Sequence, residues 1–491
     1  MVRTGMRSLT LPLITAALLL AGCATNPVTG RSDFVTMSEQ DEIKLGQQVN
    51  QQVLQQYHIY NDPELQSYVQ HVGQKLAANS HRSHLKYHFT VLDSDEVNAF
   101  ALPGGYVFIT RGIMAYLNSE AELAAVLGHE IGHVTARHAV RQQSASQIAN
   151  IGIALGSLFL PGGYQNVGQQ LGGVLGGALL SGYGRDHELE SDRLGAEYLS
   201  RTNYNPEAML DVIRVLKNQE SFELKMARAE NRKPRVYHGL FASHPDNDTR
   251  LQEVVRSVDR VTPVKSPNIG RADYLAHVDE MVFGENPQMG ITRGRNFYHG
   301  DMDFALQFPE GWSILNRPAV LAGMAPNQNA MVQLFAEPAD KSLTPREFMI
   351  KKLKLEQLRD EQDRKINGLP AHSAAVVVQS GTNRQSARIT VIYHRNTAFI
   401  LAGLTRNPGD FLNYDSTFKA TAQTFRRLTG EEQASIKPRL IKLITANDRT
   451  DYKTLTLASP LEKYPEEQLR LLNSDYPKGE IEPGERLKIV D

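Results

Sequence analysis

The spacing of apolar residues predicts helices in the first part of the chain, interrupted by two short strands. Apolar side chains recur at helical spacing through residues 45–53 and 65–76. Residues 87–92 and 106–110 instead alternate between apolar and polar side chains, as strands with one buried face do. Leu102-Pro103-Gly104-Gly105 is a turn signal between these strands, so the pair is predicted to form a β-hairpin or a sheet edge.

A further helix is predicted to begin near Ser119, whose spacing to Glu122 matches a capping box. The apolar positions of residues 123–134 then follow a helical period. His129 and His133 are four residues apart on this helix, so both imidazoles project from the same side. Two more helices are predicted downstream, at 185–199 and 207–217.

The segment 148–182 is rich in glycine, alanine and leucine, but neither of its apolar stretches reaches membrane-spanning length. It is interpreted either as closely packed helices over the histidine-bearing helix or as an interfacial element or lid. Beyond residue 290 the pattern changes to mixed strands and helices. The predicted strands lie at 304–308, 331–335, 374–378, 387–394 and 397–403, and the predicted helices at 345–362 and 411–426.

The first residues have the layout of an export signal. Two arginines precede an apolar run over residues 9–20, which is shorter than the ~20 residues of a membrane-spanning helix. The run ends in Leu20-Ala21-Gly22-Cys23, which resembles the lipobox of bacterial lipoproteins. Cys23 is the only cysteine, so no intrachain disulfide can form. We therefore expect a signal peptide at 1–22 and lipidation of Cys23, and Ala24 favours anchoring at the periplasmic face of the outer membrane.

Composition and charge fit a folded protein of several domains. The chain has 491 residues, 41% hydrophobic and 22% charged, which is typical of globular proteins and too long for one domain. Its formal charge of −1 leaves no basic surplus, so we expect no nucleic-acid partner. An α+β multidomain fold is predicted. Its parts are a signal at 1–22, a tether at 23–40, a mainly helical domain with a small sheet at 41–262, a linker at 263–290, an α/β domain at 291–430 and a small module at 438–491.

The clearest chemical signal is His129-Glu130-Ile131-Gly132-His133, the H-E-x-x-H pattern, on a predicted helix. Two imidazoles one helical turn apart can bind one Zn²⁺, and the glutamate between them can reach the attacking water. Glu130 would take a proton from this water and later deliver it to the leaving amine. The sequence therefore predicts a zinc-dependent peptidase with Glu130 as the general base.

A catalytic zinc has three protein ligands and an open fourth position. A third histidine in the metzincin arrangement would fall at residue 139, which is alanine, and His138 lies one residue short of it. We therefore expect a glutamate ligand from a second helix. His187 is an alternative ligand.

Three acids on the helix predicted at 185–199 are candidates for this role. Glu188 and Asp192 share one face of the helix, so one can bind zinc while the other orients a ligand imidazole. Glu190 is expected to point away from the metal, toward solvent.

Four segments together resemble a known family. They are Asn98–Gly105 (N-A-F-x-x-P-G-G), His129–His138, Glu188–Asp192 (E-x-x-x-D), and Ser243-His244-Pro245 with Arg250 six residues beyond the histidine. Their order and spacing resemble the HtpX-like zinc metallopeptidases, in the branch of soluble bacterial lipoproteins, and they lie within residues 40–258.

The resemblance implies roles for the residues that match these segments. One zinc ion per chain would be bound by His129, His133 and Glu188, with Glu130 as base and Asp192 as the acid that orients a ligand. A peptide substrate would be added as a strand at an edge formed by Gly104, Gly105, Tyr106 and Val107.

Two residues of the last segment have alternative roles. His244 would occupy the fourth zinc position and hold the enzyme inactive, or it would cap a turn before Pro245. Arg250 would stabilise the oxyanion of the reaction, or it would form a salt bridge.

The remaining segments show weaker resemblances. Residues 291–428 resemble a PsbP/DcrB-type α/β domain, in which Trp312 is expected to be a core residue. The end of the chain resembles a LysM module but lacks its usual Gly-Asp-Thr opening. Peptidoglycan binding and protein docking are therefore both open for residues 438–491.

The function expected from these features is a periplasmic, outer-membrane-anchored zinc metalloendopeptidase that degrades misfolded or stalled envelope proteins. The partners expected besides these substrates are the outer-membrane assembly machinery or peptidoglycan. The alternatives are an envelope scaffold or chaperone with a latent protease site, and a cell-wall-binding protein. A complete ligand set with a base favours the enzyme, because a scaffold has no need of Glu130.

Overall fold

The computed structural model describes residues 23–35, 37–142, 183–230, 264–317, 320–380 and 383–491, together with positions 234 and 254. The segment 148–182 lies outside these residues. Within the described part, no helix is both long enough and apolar enough to cross a lipid bilayer. The architecture is helical with a small sheet in the first part and strand-rich beyond it, which confirms the predicted α+β multidomain class.

The helices of the first part follow the predicted pattern. Asp62 caps the helix Pro63–Ala77 by accepting a hydrogen bond from the backbone N–H of Leu65, and Pro63 occupies the first helical position. The described helices of this part are α1 (Glu39–Gln56), α2 (Pro63–Ala77), α3 (Arg111–Tyr116), α4 (Glu120–Thr135), α5 (Arg185–Arg201) and α6 (Ala208–Ala229).

A two-stranded sheet precedes these helices. Strand β1 (Cys23–Thr25) pairs antiparallel with β2 (Ser32–Phe34), and the turn between them is closed by the buried Asn26. The amide of Asn26 donates a hydrogen bond to Asp33 at 2.7 Å, and Arg141 forms an ion pair with the same carboxylate at 3.3 Å. The hairpin is thereby attached to the end of the segment that carries α4.

A three-stranded sheet lies beside α4, with β5 (Tyr106–Thr110) in its centre. Strand β3 (His88–Leu92) pairs with it in parallel, and β4 (Ala99–Leu102) pairs with it antiparallel. Of the two alternatives predicted for 87–92 and 106–110, the hairpin is therefore wrong, whereas β3 does lie at an edge of the sheet. The turn at Gly104 and Gly105 instead joins β4 to β5, and β4 has too little alternation to be recognised as a strand.

The second part is built around a seven-stranded antiparallel sheet. Its strands are β10 (Ser313–Arg317), β11 (Val320–Met324), β12 (Ala330–Pro338), β13 (Arg359–Ile366), β14 (Leu369–Ser380), β15 (Asn383–His394) and β16 (Thr397–Thr405). They lie in the order β10-β11-β12-β16-β15-β14-β13. The predicted hairpin around Arg395-Asn396 is confirmed, since β15 and β16 pair on either side of it.

The predicted helix at 345–362 is wrong in its second half. Helix α8 (Pro345–Lys351) begins with a capping box between Thr344 and Glu347, but residues 359–366 form β13 at the sheet edge. Charged residues dominate this stretch, so its hydrophobic pattern carries little information. Helix α9 (Phe411–Gln423) covers the seven-stranded sheet. A second, three-stranded sheet of β7 (Ile291–Arg293), β8 (Asn296–His299) and β9 (Phe304–Gln307) packs nearby. Trp312 is partly buried and packs against this core rather than within it, so the prediction of a core residue is met only in part.

The end of the chain packs on the first part rather than on the seven-stranded sheet. Strand β17 (Arg439–Thr445) pairs with β18 (Arg486–Val490) and with β6 (Val282–Phe283), which lies in the segment predicted as a linker. Buried side chains of the C-terminal segment, among them Tyr452 and Leu472, belong to the same apolar core as α2 and α4. The remaining helices are α7 (Arg271–Val278), α10 (Gly430–Ser435), α11 (Tyr452–Ala458) and α12 (Pro465–Leu472).

Candidate metal centre

The helix that carries the H-E-x-x-H pattern begins where the sequence predicts. The hydroxyl of Ser119 accepts a hydrogen bond from the backbone N–H of Glu122 at 3.2 Å, and the Glu122 carboxylate accepts one from the N–H of Asn118 at 2.8 Å. The first contact satisfies a donor that the first turn of a helix leaves without an intrahelical partner, and the second fixes the residue that precedes the cap. From this start, α4 places His129, Glu130 and His133 in the interior, each 5% exposed or less.

A second helix, α5, packs against the metal-facing side of α4 at close range. A side chain at Gly132 would place its Cβ 3.0 Å from the Cα of Ser191, so the two helices would have to move apart by a few tenths of an ångström to admit it. Helix α5 thereby presents Glu188 and Asp192, one turn apart and both buried, to the two histidines.

The structure brings the three predicted ligands His129, His133 and Glu188 together. The Nε2 atoms of the two histidines are 3.0 Å apart, and each lies 3.5 Å from an oxygen of Glu188. Ligand atoms about 2.0–2.1 Å from a tetrahedral zinc are roughly 3.3–3.4 Å from one another. Within the described residues, these three form the one cluster with ligand atoms close enough for a metal ion.

Hydrogen bonds at the far side of each imidazole orient the two rings. His129 Nδ1 lies 2.8 Å from a carboxylate oxygen of Asp192, and His133 Nδ1 lies 2.8 Å from Nδ1 of His138. With a proton on each Nδ1, both Nε2 atoms present lone pairs to one another, which is unfavourable unless a cation lies between them. The residues present therefore fit a zinc ion.

The expectation that Glu190 points to solvent is wrong. Its side chain is 16% exposed and accepts a hydrogen bond from Arg141 at 2.9 Å, and it lies 3.1 Å from Nε2 of His138. Burial raises the pKa of Glu190, but the hydrogen bonds from His138 and Arg141 outweigh it and lower the pKa to about 2. Burial lowers the pKa of His138 to about 4, against the opposing effect of Glu190.

Sequence reasoning considered His138 only as a ligand and missed its contact with His133. The signal was its spacing of five residues from His133, but this spacing is not helical. Arg137 adopts a left-handed conformation with φ of 57° just after the end of α4, and this reverses the direction of the chain. His138 therefore returns toward the histidine that precedes it.

The alternative ligand His187 does not join the three ligand atoms. Its ring stacks on His138 with the centroids 4.2 Å apart, outside the group of atoms that could share one metal ion. Tyr183 stacks on His133, the histidine that also contacts His138, with the ring centroids 4.0 Å apart. Aromatic rings thus pack around the second histidine of the pattern.

The strand after Gly105 is not an open edge, which corrects the prediction for the substrate-binding edge. Tyr106 and Val107 pair with β3 on one side and with β4 on the other, while Gly104 and Gly105 lie in the connecting turn. Strand β4 is at the border of this sheet, and its Ala101 and Leu102 line a small cavity together with His133. His244 and Arg250 lie outside the described residues.

Comparison with known proteins agrees with this geometry. The model of "Peptidase family M48" matches residues 63–258. The chain is 31% identical over 256 residues to a protein named beta-barrel assembly-enhancing protease from Yersinia pestis, covering 51% of this chain and 50% of that one. It is 33% identical over 237 residues to the mitochondrial metalloendopeptidase OMA1 of Schizosaccharomyces pombe, covering 46% of this chain and 64% of that one.

These matches have a defined extent. The chain spans about half the length of the first bacterial relatives that it matches. Among solved structures, cyanobacterial PsbP from Synechocystis sp. PCC 6803 covers 28% of this chain and 95% of its own, at 13% identity and a TM-score of 0.23. The match to the model of peptidase family M48 thus extends over residues 63–258, which include all three candidate ligands.

Proposed function

We propose that this protein is a zinc-dependent endopeptidase. The observation that carries the proposal is the convergence of His129 Nε2, His133 Nε2 and a Glu188 carboxylate within 3.5 Å of one another, next to Glu130 on the same helix. When bound there, zinc supplies Lewis-acid activation of a water molecule and of the peptide carbonyl. Three protein ligands leave a fourth position open for them.

The side chains around this position have distinct tasks. Glu130, which is 1% exposed, takes a proton from the attacking water and delivers it to the leaving amine. Asp192 accepts the Nδ1 proton of His129 and so keeps Nε2 of that ring available as a ligand. Arg250 is proposed to stabilise the oxyanion, and His244 to restrain the resting enzyme at the fourth position.

The peptide substrate is proposed to bind along β4 as an added strand. This strand lies at the border of its sheet and contributes Ala101 and Leu102 to the cavity beside His133. Main-chain hydrogen bonds at a strand edge give affinity with little dependence on side chains. Such binding suits extended segments of unfolded proteins.

The setting proposed for this activity is the periplasmic face of the outer membrane. Support comes from the lipobox-like segment that ends at Cys23 and from the bacterial relatives, which carry the name beta-barrel assembly-enhancing protease. Misfolded or stalled envelope proteins are the proposed substrates. Outer-membrane assembly machinery and peptidoglycan are the proposed further partners.

Substitution of the base tests the enzymatic proposal. Glu130→Gln is expected to lower the cleavage rate of an unfolded protein such as casein by at least about 100-fold, because proton transfer contributes about that much. Zinc content, measured by atomic emission on the same preparations, should stay near one ion per chain. Full activity of Glu130→Gln, or a wild-type protein that binds no zinc, would contradict the proposal.

A further inference from the structure

We propose that His138 is a positioning residue for the metal ligand His133, and that Glu190 and Arg141 hold His138 in the tautomer that this task requires. The inference rests on the proposed zinc function of the three ligands. It concerns residues that lie outside the group of three candidate ligands. The observation behind it is a continuous series of polar contacts that starts at Nδ1 of His133.

The donor of the hydrogen bond between His133 and His138 determines the donor of the next bond, between His138 and Glu190. A His133 ring that offers its Nε2 lone pair to a metal carries its proton on Nδ1. That N–H faces Nδ1 of His138 at 2.8 Å, so this atom must be the acceptor. A neutral His138 that accepts at Nδ1 carries its own proton on Nε2.

The second hydrogen-bond partner of His138 is the carboxylate of Glu190, a group that can only accept hydrogen bonds. Its Nε2 lies 3.1 Å from the Glu190 carboxylate, which is also bonded to Arg141 at 2.9 Å. A carboxylate beside this guanidinium accepts the Nε2 proton and so favours the tautomer whose Nδ1 is free to accept from His133. The hydroxyl of Ser191 also reaches His138 Nδ1, at the longer distance of 3.3 Å.

The surroundings of His138 restrict the ring to one orientation. The residue is fully buried, and His187 stacks on it with the centroids 4.2 Å apart. Arg141 continues the series beyond Glu190, because it also pairs with Asp33 of the N-terminal hairpin at 3.3 Å. The contacts therefore connect the second proposed zinc ligand to β2 of the N-terminal hairpin.

The two histidine ligands are thus oriented by different chemistry. His129 is held directly by the carboxylate of Asp192, whereas His133 is held by a neutral imidazole whose own partner is a carboxylate. Partners that hold ligand histidines typically contribute a factor of about 10 to 100 in metal affinity. We expect an effect of this size from the acceptor atom of His138.

Two substitutions of His138 separate the two halves of this task. His138→Asn keeps an oxygen near the position of Nδ1, which can accept from His133, but it cannot reach Glu190. His138→Gln keeps an amide near the position of Nε2, which can donate to Glu190, but it removes the acceptor for His133. The zinc Kd of each full-length variant is measured by competition with a chromogenic chelator, and Asp192→Asn serves as a reference for the loss of a ligand partner.

The expected result is a difference between these two variants. His138→Gln should weaken zinc binding by about 10- to 100-fold, and His138→Asn by only a few-fold. Thermal unfolding of the zinc-free proteins is recorded as a measure of folding, and the two variants should be alike in it. Equal zinc affinities of the Asn and Gln variants, at any level, would overturn the inference. Failure of the wild-type protein to bind zinc would instead count against the proposed function.

Discussion

At the scale of single residues, the candidate metal centre depends on a glycine without a side chain, Gly132, as well as on the candidate ligands. Gly132 lies between the two histidines of α4, where a Cβ would come within 3.0 Å of Ser191 on α5. The contact between the helices sets the distance from Glu188 to both imidazoles. A side chain at this position must therefore change the geometry of the candidate site.

Gly132→Val is expected to separate the two helices. Overpacking of a buried contact costs about 1–3 kcal/mol, so the free energy of unfolding should fall by this amount and zinc affinity should fall with it. Urea unfolding and chelator competition measure the two effects. Gly128→Ala is the matched control, since its Cβ would meet a flexible Leu199 side chain at 3.2 Å. A Gly132→Val protein that binds zinc as tightly as the wild type would contradict this account.

Removal of the metal is expected to destabilise the folded protein. The proposed zinc ligands lie on α4 and α5 and come together only in the native fold. Free zinc at 100 times its Kd should therefore add about 2.7 kcal/mol to the free energy of unfolding. Thermal unfolding with and without a chelator measures this difference. The same comparison with Glu188→Gln, which lacks one ligand, should show a much smaller shift. An equal shift in both proteins would indicate that the metal binds elsewhere.

At the scale of elements, the order of three strands decides where a substrate can bind. Because β5 is paired on both sides, the polypeptide can gain a strand only at the borders of this sheet, and β4 is the border beside His133. The apolar side chains of β5 are buried, as expected for a central strand. Sequence patterning recognises such a strand but does not identify its neighbours.

Binding along β4 predicts that the substrate's backbone matters more than its side chains. N-methylation of alternate amides in a short cleaved peptide should lower kcat/KM by at least about 10-fold for one of the two alternating sets, because methylated amides cannot donate to a strand edge. Peptides of scrambled sequence should differ far less. Cleavage that tolerates N-methylation at every position but depends on one side chain would argue against strand addition.

At the scale of the whole molecule, the C-terminal segment is part of the core that supports α4. Lys488 on β18 is fully buried, and its ammonium donates hydrogen bonds to the carbonyl oxygens of Ala115 and Leu117 at 2.5 and 2.6 Å. Burial lowers the pKa of Lys488, and the nearby Glu122 carboxylate opposes this shift. A residue near the end of the sequence thus supports the start of the metal-bearing helix.

Lys488→Met is therefore expected to destabilise the protein by about 1–3 kcal/mol for each acceptor left unsatisfied, because the buried carbonyl oxygens of Ala115 and Leu117 lose their donor. Urea unfolding of the full chain measures this loss. Lys463→Met is the control, since Lys463 is 71% exposed and pairs with Glu230 at the surface, where an ion pair contributes at most about 1 kcal/mol. Similar stabilities of the two variants would show that Lys488 does not support the fold.

The sequence alone determined the features that depend on residues close in the chain. The spacing of His129 and His133, the cap at Ser119 and the shared face of Glu188 and Asp192 all follow from helical geometry. The residue types then limit the chemistry to a zinc-like site with a base, and the α+β class follows from the change in periodicity.

Only the tertiary structure decided which elements meet. The central place of β5, the packing of the C-terminal segment against α4 and the contact of His138 with His133 depend on long-range packing or on a chain reversal at Arg137. Hydrophobic periodicity records which face of an element is buried, but not what buries it. Which strand pairs with which, and which group lies beside a buried charge, is therefore decided only by the packing of the whole chain.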